Sequence, residues 1–251
     1  MAKQDSMIKF KGRIGDLSFY KDRNGYQARM AGGVDAQRIA TDPKFQRTRE
    51  NGAEFGLAVK SAKQMRDALR PVTTQQSDVR MSNRLSGRMV KVVKADTVND
   101  RGQRQVLGAN TPLLKGFNFN NASQLSNTLY VNLTSSIDRA TGALQVSVEA
   151  FDPKTGMALP SGATHFQFTA AGLTLDFAGD AKELVKVESA LFAVGDVLAA
   201  ATVLDIAMTA AATTPIFLLF GIAFYQQVNT KTYPLQNGAF NVLVILDVNG
   251  E

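Results

Sequence analysis

Between Lys11 and Met30 the apolar residues fall into two short alternating runs with a turn between them. Ile14, Leu17 and Phe19 alternate imperfectly with polar neighbours, Tyr26 to Met30 repeats the pattern, and Asp22-Arg23-Asn24-Gly25 is strong turn chemistry. The pattern predicts a β-hairpin in an N-terminal arm, residues 1–40. Two strands are marginal in water by themselves, so the arm must pair with or pack on a β-surface outside residues 1–40, in its own chain or in a neighbouring copy. Ile14, Leu17, Phe19 and Tyr26 are the side chains expected to make that contact.

The period then changes from two to about 3.6. Thr41-Asp42-Pro43 combines a capping residue with proline in a first turn, and Phe45, Gly52, Phe55, Val59, Ala62, Met65 or Arg66, and Leu69 follow at mostly three- and four-residue spacing as far as Arg70. This is one amphipathic helix, with a kink or a close crossing expected at Asn51-Gly52. Pro71 should end it, Val72–Ser77 should turn, and a second helix should run from Asp78 to Ala95 with Met81, Leu85, Met89 and Val92 on its apolar face. Beside that face Arg80, Arg84, Arg88 and Lys91 form a cationic stripe. The organisation expected is a basic helical hairpin over 41–96 and a linker over 97–126.

From Asn127 onward short alternating runs are separated by turns. Leu129, Val131 and Leu133 form one run, and Leu144, Val146 and Val148 another. Phe166 with Phe168, Leu173 to Phe177, Leu184 to Phe192, Thr202 to Thr209, Ile216 to Val228 and Phe240 to Val248 follow. Roughly eight strands with a turn about every ten residues predict an antiparallel β-sandwich over 127–251, with a barrel as the competing arrangement. The fold class is therefore α+β. Ile206–Thr230 carries no charge, yet Pro215 splits it and its first part alternates, so it reads as a turn and a strand buried on both faces rather than a membrane helix.

The stretches IKFKGRIGDLSFYKDRNGYQAR, RIATDPKFQRTRENGAEFG and GIAFYQQVNTKTYPLQNGAFNVLVI resemble a family of uncharacterised proteins associated with the Bacteroidetes. The resemblance covers about the first 70 and last 30 residues. It implies an architecture and no site residues.

Charge sharpens this picture. Residues 1–120 hold 23 Lys and Arg against 11 Asp and Glu, whereas residues 121–251 hold 5 against 11, so the halves carry +12 and −6. Such asymmetry suits a nucleic-acid partner, an anionic surface, or subunits meeting basic end to acidic end. The MAKQDSMIKF start lacks an apolar run, so a signal peptide is not expected, and synthesis in the cytoplasm leaves the final location, cytoplasm or released assembly, open.

Candidate chemistry is sparse. There is no cysteine, so thiolate catalysis, disulfides and zinc-thiolate sites are excluded. His165 is the single histidine, placed at the start of a strand with no nucleophile pattern around it. The pairs Asp176 with Asp180 and Glu183 with Glu188 flank turns, Asp152-Lys154-Gly156 supplies one carboxylate to a calcium-like loop, and no glycine pattern cradles a phosphate. No catalytic residue, cofactor or metal is expected. The reading is a non-enzymatic subunit that self-assembles into a filament, tube, sheath or phage-like particle through its arm and its oppositely charged halves, with homo-oligomer or polymer partners. The alternatives are a nucleic-acid-associated protein gripping phosphate through the basic helix, and a sandwich module binding carbohydrate or protein.

Overall fold

Asp22 and Gly25 stand opposite each other at the tip of the hairpin, and Asp22 Oδ1 accepts from the backbone N–H of Asn24 at 2.8 Å. In this computed structural model, which describes residues 2–30, 32–74, 78–179, 181–198 and 200–250, the hairpin is the centre of a larger sheet. β1 (Ala2–Lys3), β2 (Gly12–Ile14), β3 (Leu17–Asp22) and β4 (Gly25–Met30) pair antiparallel in the order β1-β4-β3-β2. The first apolar run is thus two strands, not one. Gly15, at φ +56°, lets the chain reverse so that Ile14 and Leu17 face each other, which explains the imperfect alternation. The pairing that the hairpin needs comes from residues 2–14 themselves.

The chain divides into two units, residues 1–51 and residues 52–251. In the first, α1 (Ala36–Thr41) is followed by a 3-10 turn, Pro43–Phe45, that leads directly into α2 (Gln46–Ala68). Asp42 caps this start by accepting from Lys44 N–H at 2.9 Å, and Arg49 ties it to α1 through the carbonyls of Ile39, 2.7 Å, and Asp42, 3.0 Å. α2 continues through Asn51-Gly52. A Cβ on Gly52 would meet nothing within 4 Å, so the close crossing expected there is absent.

In the second unit α3 (Arg70–Thr73), α4 (Met81–Lys94) and α5 (Leu125–Thr128) precede the strands. Pro71 does not end the helical region; it sits in the first turn of α3, where its missing N–H costs nothing. The expected turn at 72–77 lies outside the described residues beyond Thr74. β5 (Leu133–Asp138), β6 (Ala143–Val148), α6 (Pro153–Gly156), β7 (His165–Leu175), β8 (Lys182–Glu188), β9 (Phe192–Ala193), β10 (Thr202–Ala207), β11 (Ile216–Val228), β12 (Lys231–Pro234) and β13 (Val242–Asn249) follow. All pairings are antiparallel, in one sheet centred on β7 and β11 and a second of order β10-β6-β5. The fold is α+β, with a sandwich of two sheets.

The central sheet is buried on both faces where β7 pairs with Ile216–Phe224, while β12 and the end of β11 are exposed. On one side Ala171, Leu173, Phe217, Leu219 and Ile245 join a cluster with Ala58, Met65 and Leu69 of the α2 region and with Leu85, Met89 and Val92 of α4. On the other, Phe166, Phe168, Leu218, Phe220 and Phe224 pack with Leu144, Val146, Leu204 and Ile206 of the smaller sheet. Each of the Val, Leu, Ile, Met and Phe side chains among them contributes roughly 1.5–3 kcal/mol by leaving water. This accounts for the unbroken apolar run of β11, as expected for a strand covered twice. Among the described residues no helix is long and apolar enough to cross a membrane.

Three details differ from the pattern. The run Leu129–Leu133 is not a strand: Leu129 makes an isolated bridge to Met157, and pairing begins at Leu133. The Phe166 and Leu173 runs fuse into the 11-residue β7, because Gly172 between them is no turn; it lets Met208, Leu144 and Ile206 approach the strand. In α2 the buried positions are Glu54, Ala58, Ser61, Ala62, Met65 and Ala68, so Phe55 and Val59 of the expected stripe lie exposed.

Residues 97–126, expected as a linker, are held to neighbouring elements. Phe119 N–H donates to Leu243 O at 2.8 Å and Gly116 N–H to Ile245 O at 2.8 Å, while Ile245 N–H donates to Phe117 O at 3.1 Å. The loop before them closes on two buried carboxylates. Asp96 accepts from the backbone of Val98, Asn99 and Gln105, and Glu54 accepts from Gly102 N–H at 3.0 Å and pairs with Arg104 at 3.5 Å.

Candidate functional site

Directly opposed residues of an antiparallel pair point to the same face, so the register of the N-terminal sheet sorts its side chains. Ile14 opposes Leu17 and Leu17 opposes Met30; Gly12 opposes Phe19 and Phe19 opposes Ala28; Lys21 opposes Tyr26. The sheet therefore gathers Ile14, Leu17, Phe19 and Tyr26 on a single face, joined by Met30 and Ala28. The opposite face carries Arg13, Ser18, Arg29, Tyr20 and Gln27.

That apolar face is open. Ile14 is 60%, Leu17 44% and Met30 74% exposed, Phe19 and Tyr26 are half-buried, and among the described residues of 1–51 no apolar side chain is buried. Phe10 extends the face by packing its ring on Phe19, centroids 5.7 Å apart, and the Lys21 ammonium lies 5.4 Å from the Tyr26 ring centre. Met30 and Ala28 fall within the alternating run from Tyr26 but are not among the contact residues expected from the sequence, and neither is Phe10. The in-phase spacing of Tyr26, Ala28 and Met30 is the signal for two of them; Phe10 lies outside the strands and gives none.

The cationic stripe is brought together only in part. Arg84, Arg88 and Lys91 line an open groove of about 440 Å³ between α4 and residues 116–121, whereas exposed Arg80 precedes the helix. Arg84 is engaged: its guanidinium donates to the carbonyls of Asn118, 2.6 Å, and Phe119, 2.9 Å, pairs with Asp78 and stacks over Phe117 at 5.2 Å. It pins a neighbouring segment rather than presenting four charges to a phosphate. Arg88 and Lys91 make no ion pair among the described residues.

The remaining candidates have structural partners. His165 opens β7 beside the Thr164 hydroxyl, its Nδ1 at 2.9 Å. Glu183 accepts from Thr209 N–H, Glu188 pairs with Lys186 at 2.6 Å, and Asp176 accepts from Ala178 N–H at 2.9 Å. Asp180 lies outside the described residues. Asp152 caps α6 by accepting from Lys154 N–H, the role of a helix start. Among the described residues no group of three or more His, Asp or Glu side chains could hold a metal ion.

No protein-family model matches the sequence, and no curated protein does. Among solved structures the chain is similar to one described as "pH-induced modulation of Streptococcus parasanguinis adhesion by Fap1 fimbriae", with 17% identity over 50% of this chain and 84% of that one. The TM-score is 0.24, which carries no argument about fold or function.

Proposed function

We propose that this protein is a non-enzymatic structural subunit that associates with copies of itself through the apolar face of its N-terminal sheet. The observation that supports this reading is the composition of that face. Ile14, Leu17, Phe19, Tyr26 and Met30 lie side by side with only Lys21 charged among them, and no apolar residue described in the same unit is buried. A four-stranded sheet whose apolar side chains stay this exposed leaves much of the stabilisation available to a sheet unclaimed. Opposite net charges on the two halves of the sequence, +12 and −6, would draw copies together in a fixed sense.

The test is association of purified, nuclease-treated protein, followed by sedimentation velocity and electron microscopy across concentration. Filaments, rings or particles that grow with concentration and disappear on deletion of residues 1–33 are the expected result. A chain that remains monomeric at all concentrations, or a deleted chain that assembles unchanged, would overturn the proposal.

A further inference from the structure

If the arm is a donor, some other surface must accept it. Residues 52–251 hold two sheets with four faces. Both faces of the β7–β11 sheet are covered over β7 and Ile216–Phe224, one by helices and one by the smaller sheet, and the inner face of β10-β6-β5 is spent on that same packing. The outer face of β10-β6-β5 is open, as is the β12 end of the larger sheet, where Val228 and Tyr233 are exposed.

This face is unusual in its chemistry. Its middle row is Ser136, Gln145 and Asp205, in register across the three strands, and all three are exposed. The rows beside it carry only Ala, Ser, Thr, Val and Asp138, so the face has no Lys or Arg and no long side chain other than Gln145. Gln145 is itself laid across the surface, its amide donating to Asp205 at 2.7 Å. The exposed side chains of this face are mostly short and weakly acidic, with no cation among them.

Resting on the assembly reading above, we infer that the outer face of β10-β6-β5 accepts the apolar face of the N-terminal sheet of a second copy. Charge complementarity favours this occupant. The docking face of the N-terminal sheet carries one charge, the cation of Lys21, and the charged groups of the acceptor strands' outer face are Asp138 and Asp205. Shape favours it too, since two sheets stack face to face about 10 Å apart and the long Ile14, Leu17 and Met30 side chains fill the space above short ones. Apart from Gln145, already held on Asp205, the acceptor residues are short and lose little rotamer freedom on being covered. Donor and acceptor are different surfaces, so each copy has one of each and the contact propagates head to tail into a ring or an open chain.

The test uses three full-length proteins: wild type, a donor variant Leu17→Glu/Met30→Glu, and an acceptor variant Ser136→Arg/Gln145→Arg. All substitutions are at exposed positions, and circular-dichroism melts establish that each protein is folded. Wild type is expected to form large species in sedimentation velocity and each variant alone to stay monomeric. An equimolar mixture of the two variants should give a discrete species of two chains, because one intact donor meets one intact acceptor and nothing can extend the product. An acceptor variant that polymerises like wild type, or a mixture that stays monomeric, overturns this inference while leaving the arm reading intact. Wild type that never associates, or a donor variant that polymerises, overturns the arm reading and this inference with it.

Discussion

Leu17 and Met30 stand opposite each other across the β3–β4 pair, and both are exposed. Neither contributes to a core in the isolated chain, so their replacement separates association from folding. Leu17→Ser and Met30→Ser are each expected to weaken self-association by roughly 10–100-fold, the equivalent of about 1.5–3 kcal/mol of lost burial. The thermal midpoint of the monomer should hardly move, because surface changes usually lie within about 0.5 kcal/mol. Dilution sedimentation and thermal melts read the two effects independently. A large fall in the midpoint would mean that the chain covers this face itself.

Arg84 and Lys91 should part in the opposite way. Arg84→Ala removes donors from the carbonyls of Asn118 and Phe119 and leaves Asp78 without its cation, so a loss of about 2–3 kcal/mol is expected in urea melts. Lys91→Gln should change stability by less than about 0.5 kcal/mol. Should the protein be retained on duplex DNA, the salt slope should drop by roughly 0.9 for each true phosphate contact removed. Arg88→Gln and Lys91→Gln are the pair that would lower it, since Arg84 is spent inside the fold.

The N-terminal face is legible in the sequence because a period of two holds within its strands, broken only by the three-residue step from Ile14 to Leu17 at the turn, and β11 because a long run apolar on both faces, broken from its neighbour by Pro215, fits a strand covered twice. The phase of α2 is not. A stripe through Phe55 and Val59 has the right period, but the core-facing position is taken by Glu54, whose carboxylate is stabilised by Gly102 N–H and Arg104. A pattern that scores carboxylates as outward cannot find a buried one, because its partners lie some fifty residues away. Arg84 illustrates the same gap. Its charge is visible in the sequence, while its role depends on carbonyls 34 and 35 residues further along.

Asp96 gives a pH dependence with a definite sign. Hydrogen bonds, first from Gln105 N–H and then from Asn99 and Val98, hold its carboxyl well below the usual range against the opposing effect of burial. A depressed folded value means that the stabilisation is complete above the unfolded value of about 3.9 and is lost as pH falls towards the folded one. The stability gap between wild type and Asp96→Asn should therefore be constant from neutral pH down to about 5 and shrink below about 4. Urea midpoints of both proteins at several pH values measure it. A gap that widened on acidification would contradict the hydrogen-bond assignment.

Two glycine-to-alanine changes should have opposite signs. Gly142, at φ +75°, closes the β5–β6 turn, and a Cβ there would fall against the backbone carbonyl of Met208, which cannot move aside as a side-chain tip can. Arg139, three residues before, anchors the same turn to the carbonyls of Ala212, Thr214 and Asn249, so the loop has little room to relax. Gly142→Ala is expected to cost about 2–3 kcal/mol through strain and displaced backbone. Gly52 lies inside α2 with open space where its Cβ would be, so Gly52→Ala should stabilise by about 0.5–1 kcal/mol. The comparison reaches function as well, since the β5–β6 turn sets the register of the face inferred to accept a neighbouring arm. Sedimentation at a temperature where Gly142→Ala is still folded should show weaker association, whereas Gly52→Ala should associate like wild type.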